Sequence, residues 1–115
     1  EYQKAMDCYL QGLRIDQEQG HKPNIAGGYI MIGELYSEMD SFKEAERYFK
    51  EGIKLAKDLN LRLEIASGCY NLGLLYRKIG RKNRAREYLR QAQEIYSQIN
   101  TLRYQEIKEL LISQD

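Results

Sequence analysis

The side chains able to do covalent or acid–base chemistry are few in this sequence and do not converge. His21 is the single histidine. It stands beside Gly20 and Pro23 in an expected turn, with no serine or cysteine spaced to form a dyad with it. Cys8 and Cys69 are the two cysteines and no CxxC pair exists, so neither a zinc site nor a dense disulfide framework is implied. Two reduced thiols in apolar surroundings are expected instead. Acidic pairs such as Glu44 with Glu46 and Glu106 with Glu109 have the placement of salt-bridging helix-surface residues rather than of paired catalytic carboxylates. No phosphate-binding loop and no metal-ligand cluster is present. The expectation is a protein that is not an enzyme and takes no cofactor and no metal.

One stretch is strongly charged. Arg77, Lys78, Arg81, Lys82, Arg84, Arg86 and Arg90 crowd together along the chain, against Glu87 alone. Such a cluster could meet nucleic-acid phosphates or an acidic peptide. The tyrosines near it, Tyr76 and Tyr88, are assigned to packing, so base stacking is not indicated. Over the whole chain the charge balances to +1, which gives no general attraction to nucleic acid or membrane.

The elements that position these residues are read from a repeat. Residues 21 to 60 laid over 61 to 100 bring together Ile25 and Ile65, Ala26 and Ala66, Gly28 and Gly68, Gly33 and Gly73, Tyr36 and Tyr76, Ala45 and Ala85. The phase extends backward, with Ala5, Tyr9, Gly12 and Leu13 under Ala45, Phe49, Gly52 and Ile53. Apolar residues recur at three-and-four spacing between breakers, which predicts helices at about 1–18, 24–39, 42–59, 63–79, 82–99 and 102–112. Gly20, Asn60 and Asn100 are expected to end helices in the left-handed conformation, with Asp40 and Gly80 as breaks between them. Pro23 suits a first helical turn, and Ser41 with Glu44 has capping-box spacing. Gly33 and Gly73 fall mid-helix, where glycine costs about 1 kcal/mol relative to alanine, so a close helix approach is expected to offset them.

These residues resemble the tetratricopeptide repeat family. The pattern is carried by Tyr29, Ile32, Gly33, Tyr36, Ala45, Phe49 and Gly52, and again by Cys69, Leu72, Gly73, Tyr76, Ala85, Leu89 and Ala92. The offset that carries Gly33 onto Gly73 is longer than the family's usual period of about 34 residues. In this the chain is similar to long-repeat variants found in cell-polarity scaffolds and bacterial peptide-sensing regulators. The resemblance implies an all-α, right-handed superhelix, an α-α solenoid of helical hairpins. Residues 1–20 would be the second helix of a truncated repeat, 21–60 and 61–100 two repeats, and 101–115 a capping helix with Leu102, Ile107, Leu110 and Leu111 on its apolar side, all in one domain.

The resemblance also implies that the first helix of each hairpin lines an inner surface that binds a peptide or helical segment of a protein partner. The positions not used for packing there include Ile30, Met31 and Glu34 on one helix and Tyr70, Asn71, Leu74, Arg77 and Lys78 on the next. Ile30, Met31, Tyr70 and Leu74 would give that surface an apolar character. Asn71 matches a position where related repeats bind a peptide backbone through both groups of an amide. Ile30 and Glu34 stand where a carboxylate clamp would need other residues, so capture of a peptide terminus is not expected. The function implied is that of an interaction module of a larger scaffold or regulatory protein. A second reading is a peptide-sensing domain of a signalling or transcription regulator. A third, placed below both, is nucleic-acid binding through 77–90.

No apolar run approaches the roughly 20 residues needed to span a bilayer, and no charged-then-apolar leader opens the chain. A cytoplasmic location and no membrane partner are the corresponding expectations, with a nucleic-acid partner ranked below a protein one. The chain begins inside a helical pattern, which reads as a segment excised from a longer protein. The N-terminal helix would then leave Tyr2 and Tyr9 uncovered, and self-association through that face is a further expectation.

Overall fold

Four evenly spaced breaks divide the chain into helices. Gly20, Asp40, Asn60 and Gly80 all have positive φ, at 72°, 61°, 57° and 83°. Each sits in the same hydrogen-bonded ending. The N–H of the following residue reaches back to the carbonyl five positions earlier, as in His21 to Asp16 at 2.9 Å, Ser41 to Tyr36 at 2.9 Å, Leu61 to Ala56 at 2.8 Å and Arg81 to Tyr76 at 2.8 Å. That same residue then opens the next helix by accepting a bond at its own carbonyl, from Ile25, Ala45, Ile65 and Ala85 respectively. A single left-handed residue therefore turns one helix into the next.

In the computed structural model, which describes residues 1–113, the helices are α1 (Tyr2–Gln19), α2 (Lys22–Glu38), α3 (Phe42–Asp58), α4 (Arg62–Lys78), α5 (Lys82–Ile99) and α6 (Thr101–Ser113). Residues 114 and 115, assigned by sequence to the last segment, lie outside the described residues. Each helix packs on the next in sequence, and α2 also touches α4. That neighbour pattern is a stack of hairpins, α2 with α3 and α4 with α5, an all-α solenoid measuring 42 × 29 × 20 Å. Among the described residues no helix is long and apolar enough to cross a membrane.

The mid-helix glycines mark the crossings. A Cβ built on Gly33 would lie 2.7 Å from two ring atoms of Phe49, and one on Gly73 would lie 2.8 Å from Leu89. The backbone of each first helix rests directly on the large side chain of the second. Between hairpins a first helix again supplies the glycine and a second helix the large side chain, since Gly68 of α4 would meet Ile53 of α3 at 2.5 Å. Tyr36 stacks on Tyr48 at 5.6 Å, and the equivalent Tyr76 and Tyr88 lie 5.7 Å apart.

Local expectations fail at four places. Asn100 is extended, at φ −154° and ψ 93°, because its amide oxygen accepts the N–H of Arg103 at 3.1 Å and so caps α6. Ser41 opens α3 without a side-chain capping bond. Its N–H, the donor a capping-box carboxylate would take, is already bound to Tyr36. Cys69 is fully buried, but Cys8 is exposed on α1, and both are free thiols. Leu102 is 72% exposed, while Tyr104, Ile107, Leu110 and Leu111 face α5 and the core.

Candidate functional site

α2 and α4 lie side by side, and the shallow channel between them is built from residues three and four apart on each. Glu34, Ser37 and Glu38 of α2 face Asn71, Leu74 and Lys78 of α4 across a depression of about 170 Å³, floored by Phe49 and Leu75. Four of the eight residues named for a binding surface, Glu34, Asn71, Leu74 and Lys78, are thereby brought together. The two floor residues belong to the packing code of the repeat, so sequence alone gave no sign that they border this channel.

The polar residues of the channel constrain one another. The Asn71 amide donates to the Ser67 carbonyl one turn back on its own helix at 2.9 Å and lies beside Glu34 in the same depression. Partial burial against these walls, together with the neighbouring Glu38, pushes the Glu34 carboxyl above the ordinary carboxylate range, while Asn71 and Arg103 oppose the shift. The residue stays solvent-accessible along its edge, so the negative charge is both crowded and reachable. Lys78 turns away from it, with Nζ 3.4 Å from Asp40 Oδ1 and above the Phe42 ring at 5.4 Å from its centroid.

The remaining expected residues go elsewhere. Ile30 is 4% exposed and belongs to the core, not to a binding surface. It fills the space over Gly52, where its Cγ1 lies 2.9 Å from the position of an added Cβ, and it reaches Gly68 as well. A helix inside a stack buries apolar residues against two neighbours, so Ile30 is consumed by packing. Tyr70 stands edge-on to Tyr96 at 6.5 Å, under the Arg103 guanidinium at 4.3 Å. Arg77 reaches α6, donating to the Leu110 carbonyl and to Ser113 Oγ, both at 3.3 Å. There it meets the negative end of the α6 dipole.

Tyr70 consequently borders a second depression, of about 500 Å³, with Arg103, Glu106, Glu109, Leu110 and Ser113. Arg103 connects the two depressions electrostatically, since it covers Tyr70 and also acts on Glu34. The sequence reading missed the α6 residues. Arg103, Glu106 and Glu109 recur at intervals of three, a polar stripe along one edge of the apolar side, which is the signal that could have found them.

The basic stretch divides, with Arg77, Lys82 and Arg86 bordering one pocket against Leu110 and Leu111 of α6 and other cations directed elsewhere. Arg77 points to α6, Lys78 to Asp40, and Arg84 lies over the Tyr76 ring at 5.8 Å from its centroid. Arg81 acts on Glu46 of α3.

The helical arrangement is similar to solved structures of longer repeat proteins. BtubC (BKLC) from P. vanneervenii superposes with a TM-score of 0.85 at 21% sequence identity, over 98% of this chain and 48% of that one. The chain thus spans about half the length of that relative, and the likeness concerns the fold. No curated protein matches this sequence significantly. The profile of the tetratricopeptide repeat matches residues 26–59 and 66–99, two copies that begin at equivalent places, Ala26 in α2 and Ala66 in α4. With both hairpins matched and the hairpin stack present in the structure, the chain belongs to the tetratricopeptide repeat family.

Proposed function

We propose that the channel between α2 and α4, continued along α6, binds a segment of a partner protein that carries a lysine or arginine next to an apolar side chain. Tetratricopeptide repeats generally mediate protein–protein interaction, and the finer reading rests on the state of Glu34. Its carboxylate is held close to that of Glu38, beside the apolar surface of Leu74. A cation seated there would offset the burial and the Glu38 charge that raise the Glu34 pKa, while its aliphatic stem covers Leu74. Asn71 donates to the Ser67 carbonyl of its own helix, and its amide meets a partner's backbone by exchanging that bond. A sensing role would use the same channel and add an attached effector domain.

Peptides selected from a displayed random library against the whole chain test this reading. They are expected to carry Lys or Arg beside a Leu, Met or aromatic residue, and to shift the amide resonances of Glu34, Asn71 and Leu74. Replacing Glu34→Lys together with Glu38→Lys should weaken them by about tenfold or more, a loss of about 1.4 kcal/mol, with the melting temperature unchanged. Wild-type binding should also weaken as the pH falls through the raised Glu34 pKa, because protonation removes the charge that attracts the peptide. Selected peptides without cations, or equal binding to the doubly substituted protein, would refute the assignment.

A further inference from the structure

A depression of about 460 Å³ opens between α1 and α3 over Tyr29 of α2, sharing no residue with the α2–α4 channel. Small-molecule sites occupy roughly 300–1,000 Å³ and combine apolar walls with a few convergent polar groups. Leu10, Leu13 and Arg14 of α1 line this one from one side, and Arg47 and Tyr48 of α3 from the other. The hairpin architecture itself leaves this side of a second helix open. On α3, with α2 and α4 both packed against it, the positions equivalent to Leu10, Arg14 and Gln17 are Lys50, Lys54 and Lys57, and all three are exposed.

The equivalent place between α3 and α5 is built from different chemistry. Cys69 stands there in the place of Tyr29, fully buried, and its thiol reaches the Gln91 amide oxygen at 3.8 Å. Gln91 and Glu87 take the places of Glu51 and Arg47, and Lys50 that of Leu10. The repeat therefore packs without a ring, a guanidinium or an apolar wall at these positions. In the α1–α3 groove all three are present together, and the packing of the repeat does not account for them.

Tyr29 and Tyr48 are half-buried, with rings 5.9 Å apart and tilted by 53°, an arrangement that leaves ring edges and faces to a third aromatic group. The Arg47 guanidinium lies over the Tyr48 ring at 4.7 Å from its centroid, so that face already accepts a planar group. The Gln17 amide donates to the Tyr29 hydroxyl oxygen at 3.5 Å, which leaves the hydroxyl proton for a ligand. Among the described residues neither Arg14 nor Arg47 is held in an ion pair, although Glu51 borders the same depression. Two guanidiniums against one carboxylate leave a single net positive charge, which matches a carboxylate rather than a doubly charged phosphate.

We infer that the α1–α3 groove is a binding site for a small aromatic carboxylate, with its ring against Tyr29, Leu10 and Leu13 and its charge between Arg14 and Arg47. It is independent of the channel assignment, since Glu34 and Glu38 take no part in it.

The probe is naphthoate, titrated into the whole chain and followed by calorimetry and by the methyl resonances of Leu10 and Leu13, which should shift to saturation. Naphthamide keeps the ring and loses the charge, and cyclohexanecarboxylate keeps the charge and loses the aromatic ring. Each should bind about tenfold more weakly or worse. Arg47→Glu, a change to the residue type the next repeat carries at Glu87, should weaken naphthoate by about tenfold, and Arg14→Glu should do the same. Both positions are exposed, so the melting temperature should hold in each variant. Protein carrying Glu34→Lys with Glu38→Lys should bind naphthoate as the wild type does. Absence of saturable binding, equal binding of either analogue, or unchanged affinity in both arginine variants would overturn the inference. Shifts at Leu74 in place of Leu10 and Leu13 would overturn it too, by moving the ligand to the α2–α4 channel.

Discussion

Tyr76 shows how one polar atom is accommodated between hairpins. The residue is 1% exposed, yet its hydroxyl donates to the Glu46 carboxylate of α3. That bond holds Glu46 below the ordinary carboxylate range, aided by Lys50 at 3.3 Å, while burial and the same bond push the Tyr76 hydroxyl up. The counterpart of Glu46 in the preceding interface is Met6, which is buried near Tyr36 in an apolar cluster, so one interface is polar-linked and the other is not. A carboxylate depressed in the folded state contributes stability above its unfolded pKa of about 4.5, and that contribution is lost as the pH falls through the folded value. Tyr76→Phe is therefore expected to lower stability by about 1 kcal/mol at pH 7, a charged hydrogen bond discounted for the partial exposure of Glu46, and by less at pH 3. Urea denaturation at the two pH values measures the difference; an equal loss at both would assign the bond no charge dependence.

Among the elements, α1 and α3 share one packing code but stand in different surroundings, and their glycines should respond to substitution with opposite sign. Gly52→Ala puts a Cβ 2.9 Å from Ile30 and 3.2 Å from the Ala26 carbonyl, a backbone atom that cannot swing away. The crossing of α2 and α3 would have to widen, at about 1–3 kcal/mol, more than the helix-propensity gain of about 1 kcal/mol. Gly12→Ala meets no atom within 4 Å and should keep that gain, stabilising the protein by up to about 1 kcal/mol. The two melting temperatures, relative to wild type, should move in opposite directions. The connections between elements are equally specific, with Asp40 and Asn60 holding the left-handed conformation that Gly20 and Gly80 adopt freely.

For the whole molecule, the stack distributes its stability unevenly along its length. The central helices share a continuous core running from Ile30 through Phe49, Ile53, Leu72 and Tyr76 to Leu89 and Tyr96, whereas α1 leaves Tyr2, Tyr9 and Ile15 in water and α6 leaves Leu102 and Ile112 exposed. A stack in which each helix meets mainly its neighbours opens from its ends. Amide hydrogen exchange should show the greatest protection in α3 and α4 and the least in α1 and α6. Uniform protection from α1 to α6 would mean that the molecule opens as one cooperative unit.

The amino-acid sequence by itself determined the helices, the four breaks from Gly20 to Gly80 and the hairpin stack, but not the extended backbone of Asn100, whose side chain caps α6. Evenly spaced left-handed residues, apolar spacing of three and four, and the match of 21–60 to 61–100 are local or self-comparing properties, and each has a direct backbone consequence at Gly20, Asp40, Asn60 and Gly80. The close approaches at Gly33 and Gly73 were legible for the same reason, because a costly glycine in mid-helix requires a neighbour to offset it. Tertiary structure alone decided which apolar and polar side chains remain available. Periodicity shows which side of a helix is apolar, but α2 and α4 are buried against neighbours on two sides, so it could not separate Ile30, taken by Gly52 and Gly68, from Leu74, which faces the channel. Nor could it show that Asn71 lies beside Glu34 or that Arg77 ties down α6, since those partners come from other helices far along the chain.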